Sequence, residues 1–177
     1  TLFRSAHSLF SGRYSTGVAR RMIKALNEFD AELTASLIVS LDDTSIDVNS
    51  FTARRLESLL SSVRSINKRA VDSAFSLLTE EMRAHALYEA GYYPSLFDAL
   101  LPDVVLRKYP LMSITEEMLF SSVMSRPFQG KLLSEWADGL ESDRMTRINN
   151  AVRNGYLNGD SAVEIGRKIK IGRASCR

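Results

Sequence analysis

Two long stretches of helical periodicity open the chain. Apolar residues recur every three or four positions at Val18, Met22, Leu26, Phe29, Leu33 and Leu37, the spacing of one helix face. They predict a first helix over about Tyr14 to Leu41. Asp42-Asp43-Thr44-Ser45 reads as a turn, after which Asn49 or Ser50 can cap a second helix by accepting a backbone N–H. In that second helix Leu56, Leu59, Val63, Ile66, Ala70, Phe75, Leu78 and Met82 form a stripe close to the 3.5-residue period. The pattern runs on to about Ala90, roughly 40 residues or about 60 Å at 1.5 Å per residue. Neither glycine nor proline occurs from Val18 to Ala90. Such length without breakers predicts coiled-coil-like packing or an extended hairpin, with Ser73 as the place where a kink or split would fall.

Punctuation then becomes dense. Gly91 is expected to end the long helix, and Tyr92-Tyr93-Pro94 to start a less regular region with a short helix at Ser95–Leu101. Pro102 and Pro110 bracket Asp103–Tyr109, which reads as an anchored loop. Ser113 with Glu116 three residues later forms a capping box for a further helix. That helix should stop near Ser125, because Pro127 disfavours helical geometry at Arg126. A short helix at Lys131–Leu140 carries Leu132, Leu133, Trp136 and Leu140, and another at Ser142–Leu157 carries Met145, Ile148, Val152 and Tyr156. Asn158-Gly159 is a helix stop. Ser161 with Glu164 is a second capping box, opening a last helix with Val163, Ile165 and Ile169. The expected fold class is all-α: long amphipathic helices, hairpin or coiled-coil-like, then a small bundle of shorter ones. The corresponding regions are 1–110 for the long helices and 111–170 for the compact part.

Composition changes this picture little. With 45% hydrophobic and 25% charged residues, the chain has the make-up of a globular protein. Its apolar runs fall far short of the ~20 residues that span a bilayer. The first ten residues, TLFRSAHSLF, lack the ordered basic–apolar–cleavage pattern of a secretory signal. The last seven, IGRASCR, match the translation of a stretch of a common sequencing adapter, and Ile171 to Arg177 are expected to be foreign to the fold. Without Arg173 and Arg177 the 23 basic residues become 21, equal to the 21 acidic ones, and the formal charge of +2 falls to zero. The basic excess is then no sign of nucleic-acid binding. The same heptapeptide holds Cys176, the one cysteine, so neither disulfides nor cysteine-ligated zinc are expected.

Chemistry-bearing patterns are sparse. His7 and His85 stand far apart and without companion ligands, where a metal site needs a cluster. There is no glycine-rich phosphate loop and no nucleophile elbow. Gly155 and Gly159 imitate half of a nucleotide fingerprint, but no strand precedes them. Glu80-Glu81 and Glu116-Glu117 read as solvated helix faces or caps, and Trp136 as a packing anchor. No catalytic residue, metal ligand or cofactor is expected. Asp143–Lys170 has the outline of a helix-turn-helix, with Arg144, Arg147, Arg153, Arg167 and Lys168 as phosphate contacts. Its second helix would offer Ala162, Val163 and Glu164 to the bases, which supplies no readout, and Asp160 and Glu164 would repel phosphate. An ordinary corner of two helices is the better reading. Arg20-Arg21 and Arg54-Arg55 are solvated charges or contacts to a protein or to packaged DNA.

One stretch has a recognisable order of motifs. Arg126-Pro127-Phe128-Gln129-Gly130, then Leu132-Leu133-Ser134-Glu135-Trp136 and Leu140, lead into Ile148 with Asn150-Ala151-Val152-Arg153-Asn154-Gly155-Tyr156. Gly159-Asp160-Ser161-Ala162-Val163-Glu164-Ile165 and Arg167-Lys168-Ile169 follow. This resembles the helical N-terminal part of bacteriophage head-morphogenesis (minor head) proteins of the Mu F type. The resemblance covers about Arg126 to Lys170 closely and the upstream helices, with Tyr88-Glu89-Ala90-Gly91-Tyr92, more loosely.

The resemblance implies a non-enzymatic virion or procapsid component near the portal, with portal and capsid proteins as partners and no membrane. It would be found in the virion and, during assembly, in the host cytoplasm. It also implies a C-terminal α/β region beyond Lys170. Three other readings stand beside it. One is a DNA-contacting internal or ejection protein, which the neutral charge disfavours. Another is the helical arm of an enzyme whose catalytic domain lies downstream. The last is a cellular helical scaffold.

Overall fold

The computed structural model describes residues 2–42, 56–58 and 60–169. It is all-α. Among the described residues the one β-type pairing is an isolated bridge between Phe128 and Lys131. The helices are α1 (Leu2–Glu28), α2 (Asp30–Asp42), α3 (Ser61–Leu100), α4 (Asp103–Lys108), α5 (Glu116–Ser125), α6 (Leu133–Asn158) and α7 (Ala162–Lys168). The expected cap at Asn49 or Ser50, Leu59, Arg54-Arg55 and the terminal heptapeptide lie outside the described residues. The chain divides into two compact units, one of residues 1–75 with 137–177 and one of residues 76–136. The segment 111–170, read from sequence as one compact region, is shared between them, because Met145, Ile148, Val152, Ile165 and Ile169 bury against the first helices.

The first helix is longer than its stripe and broken within it. It begins at Leu2 rather than Tyr14, and Phe29 separates α1 from α2. The break has tertiary causes. Phe29 packs against the core, and the Arg69 guanidinium lies 5.7 Å from its ring centroid. Just past the break, Asp30 reaches Arg144 at 3.5 Å and Glu32 pairs with Arg69. Both carboxylates sit in the first turn of α2, where the helix dipole also favours them.

The core of the first unit is a heptad seam. Leu56, Leu60, Val63, Asn67, Ala70 and Ala74 are buried at alternating intervals of four and three. Met145, Ile148, Val152 and Gly155 on α6 are buried with the same alternation. This is coiled-coil-like spacing on both sides of one core, and Val63 and Val152 are both fully buried. One polar residue sits in the seam: Asn67, wholly buried, donates from Nδ2 to the Glu141 carbonyl at 3.1 Å. Leu33, Leu37 and Leu41 of α2 and Ile165 of α7 complete the cluster.

Several expected breaks do not occur. Helix α3 runs unsplit through Ser73, Gly91 and Pro94 to Leu100. Pro94 has no N–H to donate to the Ala90 carbonyl; one residue on, the Ser95 hydroxyl donates to the Gly91 carbonyl at 2.9 Å. Rings stack along the same stretch, Tyr88 on Tyr92 with centroids 5.7 Å apart and Tyr93 near Phe97 at 6.4 Å. Such i, i+4 contacts hold a helix together. Asp103–Lys108, expected as loop, is helix α4, begun by the Pro102 carbonyl accepting from Val105 at 2.8 Å. Thr115, not Ser113, caps α5, accepting from the Met118 N–H at 3.3 Å. The two helices expected at 131–140 and 142–157 are one helix, α6, which runs unbroken through Gly139. The stop at Gly159 and the box of Ser161 with Glu164 are where the residues place them.

Candidate protein-binding surface

The second unit, residues 76–136, has almost no interior. Among the described residues its one buried apolar side chain is Ala86, and α4 and α5 bury nothing. Its large apolar residues face outward instead: Tyr93 is 45% exposed, Tyr109 65%, Met112 75% and Phe128 68%. So many large apolar residues left exposed make this unit a candidate surface for association.

Three local structures arrange it. The first is the ring ladder on α3, which continues from His85 through Tyr88, Tyr92 and Tyr93 to Phe97. Desolvation, with Tyr92 and Glu89 nearby, raises the Tyr88 phenol above its ordinary pKa. The second is the tie between α3 and α5. Arg83 lies 4.5 Å from the Phe120 ring centroid and pairs with Glu116 at 3.4 Å. This gives Glu116 a structural role.

The third is a clasped turn built from the residues that carry the family resemblance. Phe128 and Lys131 exchange backbone hydrogen bonds of 2.8 and 3.1 Å. The two residues between them, Gln129 and Gly130, both have positive φ, 50° and 80°, the signature of a type I′ turn. Trp136 closes the turn from α6. Its indole N–H donates to the Phe128 carbonyl at 3.1 Å, its ring lies 6.4 Å from that of Phe128, and Lys131 Nζ sits 5.2 Å from its centroid. Glu135 caps α6 by accepting from the Leu132 N–H at 2.6 Å. Within these contacts the Phe128 side chain remains exposed.

His7 lies in the first unit and His85 in the second, and among the described residues no three potential metal ligands cluster. A cleft of about 260 Å³ in the first unit is lined by Leu56, Glu57, Thr146, Asn149, Asn150 and Arg153. Glu57 there pairs with Arg64 at 3.6 Å, and the amides offer binding groups but no nucleophile with a base. Of the basic residues on the helix corner, Arg144 is taken up by Asp30 and Lys168 by Asp160, while Arg147, Arg153 and Arg167 are exposed. Burial pushes the Arg144 guanidinium down from its ordinary value, against the upward pull of Asp30. Sequence pattern missed the apolar surface of the second unit, because periodicity identifies a stripe without showing whether anything covers it. No protein family, curated protein or solved structure matches the chain.

Proposed function

We propose that the chain is a non-enzymatic assembly protein of a tailed-phage head, a minor capsid component near the portal that acts by binding other proteins. The observation that carries this reading is the second unit, which exposes Tyr93, Phe97, Tyr109 and Phe128 and buries little beyond Ala86. A unit without its own core suits a protein completed by its partners. The phage context comes from the resemblance between Arg126 and Lys170. Phe128, Gly130 and Trp136, three of the residues that carry it, belong to the clasped turn. The test is co-expression with the portal and capsid proteins encoded beside the gene, followed by size-exclusion chromatography. Co-elution with the portal protein, weakened by Phe97→Ser with Phe128→Ser, is the expected result. Neighbouring genes that encode neither protein, or a chain that elutes alone, would overturn the assignment.

A further inference from the structure

The charge of this chain is nearly balanced overall but not locally. From Thr1 to Asn27 there is no Asp or Glu. Within this stretch Arg13, Arg20 and Lys24 are exposed. At 100° per residue they fall within about 40° of one another, in a single row along the outer face of α1. Their spacings of seven and four residues put them about 10 and 6 Å apart along the axis. Val18 and Ala25, each 7% exposed, lie on the opposite, inner side. Arg13, Arg20 and Lys24 have no ion pair or hydrogen bond among the described residues. Elsewhere Arg64, Lys68, Arg69, Arg83, Arg144 and Lys168 have carboxylate partners, whereas Arg107, Arg126, Arg147, Arg153 and Arg167 have no ion pair among the described residues. What sets α1 apart is the alignment of its cations in one row on an acid-free stretch.

We propose that this row on α1 binds the phosphate backbone of duplex DNA, without reading its sequence. Three cations over about 16 Å face a strand that presents a phosphate every ~3.4 Å of axis, so each can take one without rearranging the helix. Arginine suits phosphate oxygens because its guanidinium donates in a planar fork. A membrane surface is a poorer fit. An interfacial helix needs a free apolar face to insert, and that of α1 is turned inward at Val18 and Ala25. The exposed Leu9, Phe10 and Ile23 flank the cations instead of forming a stripe opposite them. This inference rests on α1 alone and is independent of the head-assembly reading.

The test is fluorescence anisotropy of a labelled duplex of random sequence with the full chain, across a salt series. Three phosphate contacts predict a log–log salt slope of about −2.7, hence roughly 40-fold weaker binding at 200 mM than at 50 mM salt. Arg13→Gln with Arg20→Gln and Lys24→Gln should abolish that slope, while Arg13→Lys with Arg20→Lys should retain it. Arg107→Gln with Arg126→Gln, in the other unit, should bind as the wild type. A circular-dichroism melt checks that the glutamine variant remains folded; the lysine variant serves the same end, since both residues favour helix. The proposal is overturned if the wild type shows no salt-dependent binding or if the glutamine variant binds as tightly as the wild type. Preference for vesicles containing phosphatidylserine over DNA would likewise overturn it.

Discussion

Gly155 of α6 and Ile165 of α7 occupy one space: an added Cβ at 155 would lie 2.7 Å from Ile165 Cδ1 and closer still to Cγ1. Both residues are buried, and Ile165 is fully so. Gly155 therefore sits in mid-helix because Ile165 needs its missing side chain. Gly155→Ala gains about 1 kcal/mol of helix propensity but overpacks a fixed neighbour at about 1–3 kcal/mol. The expected net result is destabilisation by up to about 2 kcal/mol, read as a lower urea midpoint. Adding Ile165→Ala removes the obstructing atoms, so the double variant should lose less than the sum of the singles. Strict additivity would mean that the two residues are not in contact.

Asp30 and Arg144 form a second specific link within the first unit. The Arg144 side chain is 11% exposed and that of Asp30 30%. Removing one partner of a fully buried pair costs roughly 3–5 kcal/mol; the partial exposure of Asp30 reduces this to about 2. Asp30→Asn leaves the buried guanidinium without a counter-charge. Arg144→Met removes the buried charge and leaves a carboxylate that water can reach, so it should cost less, about 1 kcal/mol. Chemical unfolding of both variants gives the order, and a larger loss for Arg144→Met would contradict it.

These two links explain what the sequence conceals. The corner at Asn158 to Glu164 is legible because its signals are local: Gly159 has φ of 72°, and Ser161 and Glu164 satisfy each other's backbone donors. The break at Phe29 is not legible, since the carboxylates beside it are drawn by Arg69 and Arg144, which are 37 and 114 residues away from their partners. Gly91 and Pro94 read as terminators by local propensity, yet the helix continues through both to Leu100, with the rings of Tyr88, Tyr92, Tyr93 and Phe97 packed along it. Asn67 gave no signal as a seam residue, because hydrophobic patterning passes over a buried amide. For the candidate surface, the residues of the clasped turn were visible as a motif, but its positive φ at Gln129 and its tie to Trp136 required coordinates.

Glu164 supplies a pH-dependent contribution of known sign. Its carboxylate accepts from both the N–H and the hydroxyl of Ser161, each at 2.8 Å. These bonds, first the backbone one, hold it below the usual carboxylate range, with Lys168 and Arg167 adding to the effect. A depressed folded pKa stabilises the fold above the unfolded value of about 4.3, and that stability is lost as pH falls through the folded value. Wild type should therefore melt above Glu164→Gln by a constant margin from pH 7 down to about 5. Below that the margin should close. A margin unchanged in acid would mean that the ionised carboxylate is not what caps α7.

The clasped turn can be tested through its own fluorophore, since Trp136 is the chain's one tryptophan. Gly130 has φ of 80°, so Gly130→Ala places an L-residue in left-handed geometry at about 1–2 kcal/mol. With the turn strained, the Phe128 carbonyl should leave the indole N–H that now meets it at 3.1 Å. Trp136 is 36% exposed, so its emission should shift to the red while far-ultraviolet helicity stays constant. Gln129→Asn acts in the opposite direction, because asparagine tolerates positive φ better than glutamine does, and should stabilise the turn by about 0.5 kcal/mol. The two substitutions alter backbone strain without touching Phe128 or Trp136. Opposite effects on partner affinity would therefore show that the turn works by presenting Phe128 in a fixed position. If Gly130→Ala leaves the emission unchanged, helix α6 alone holds the indole, and the turn contributes nothing to the surface.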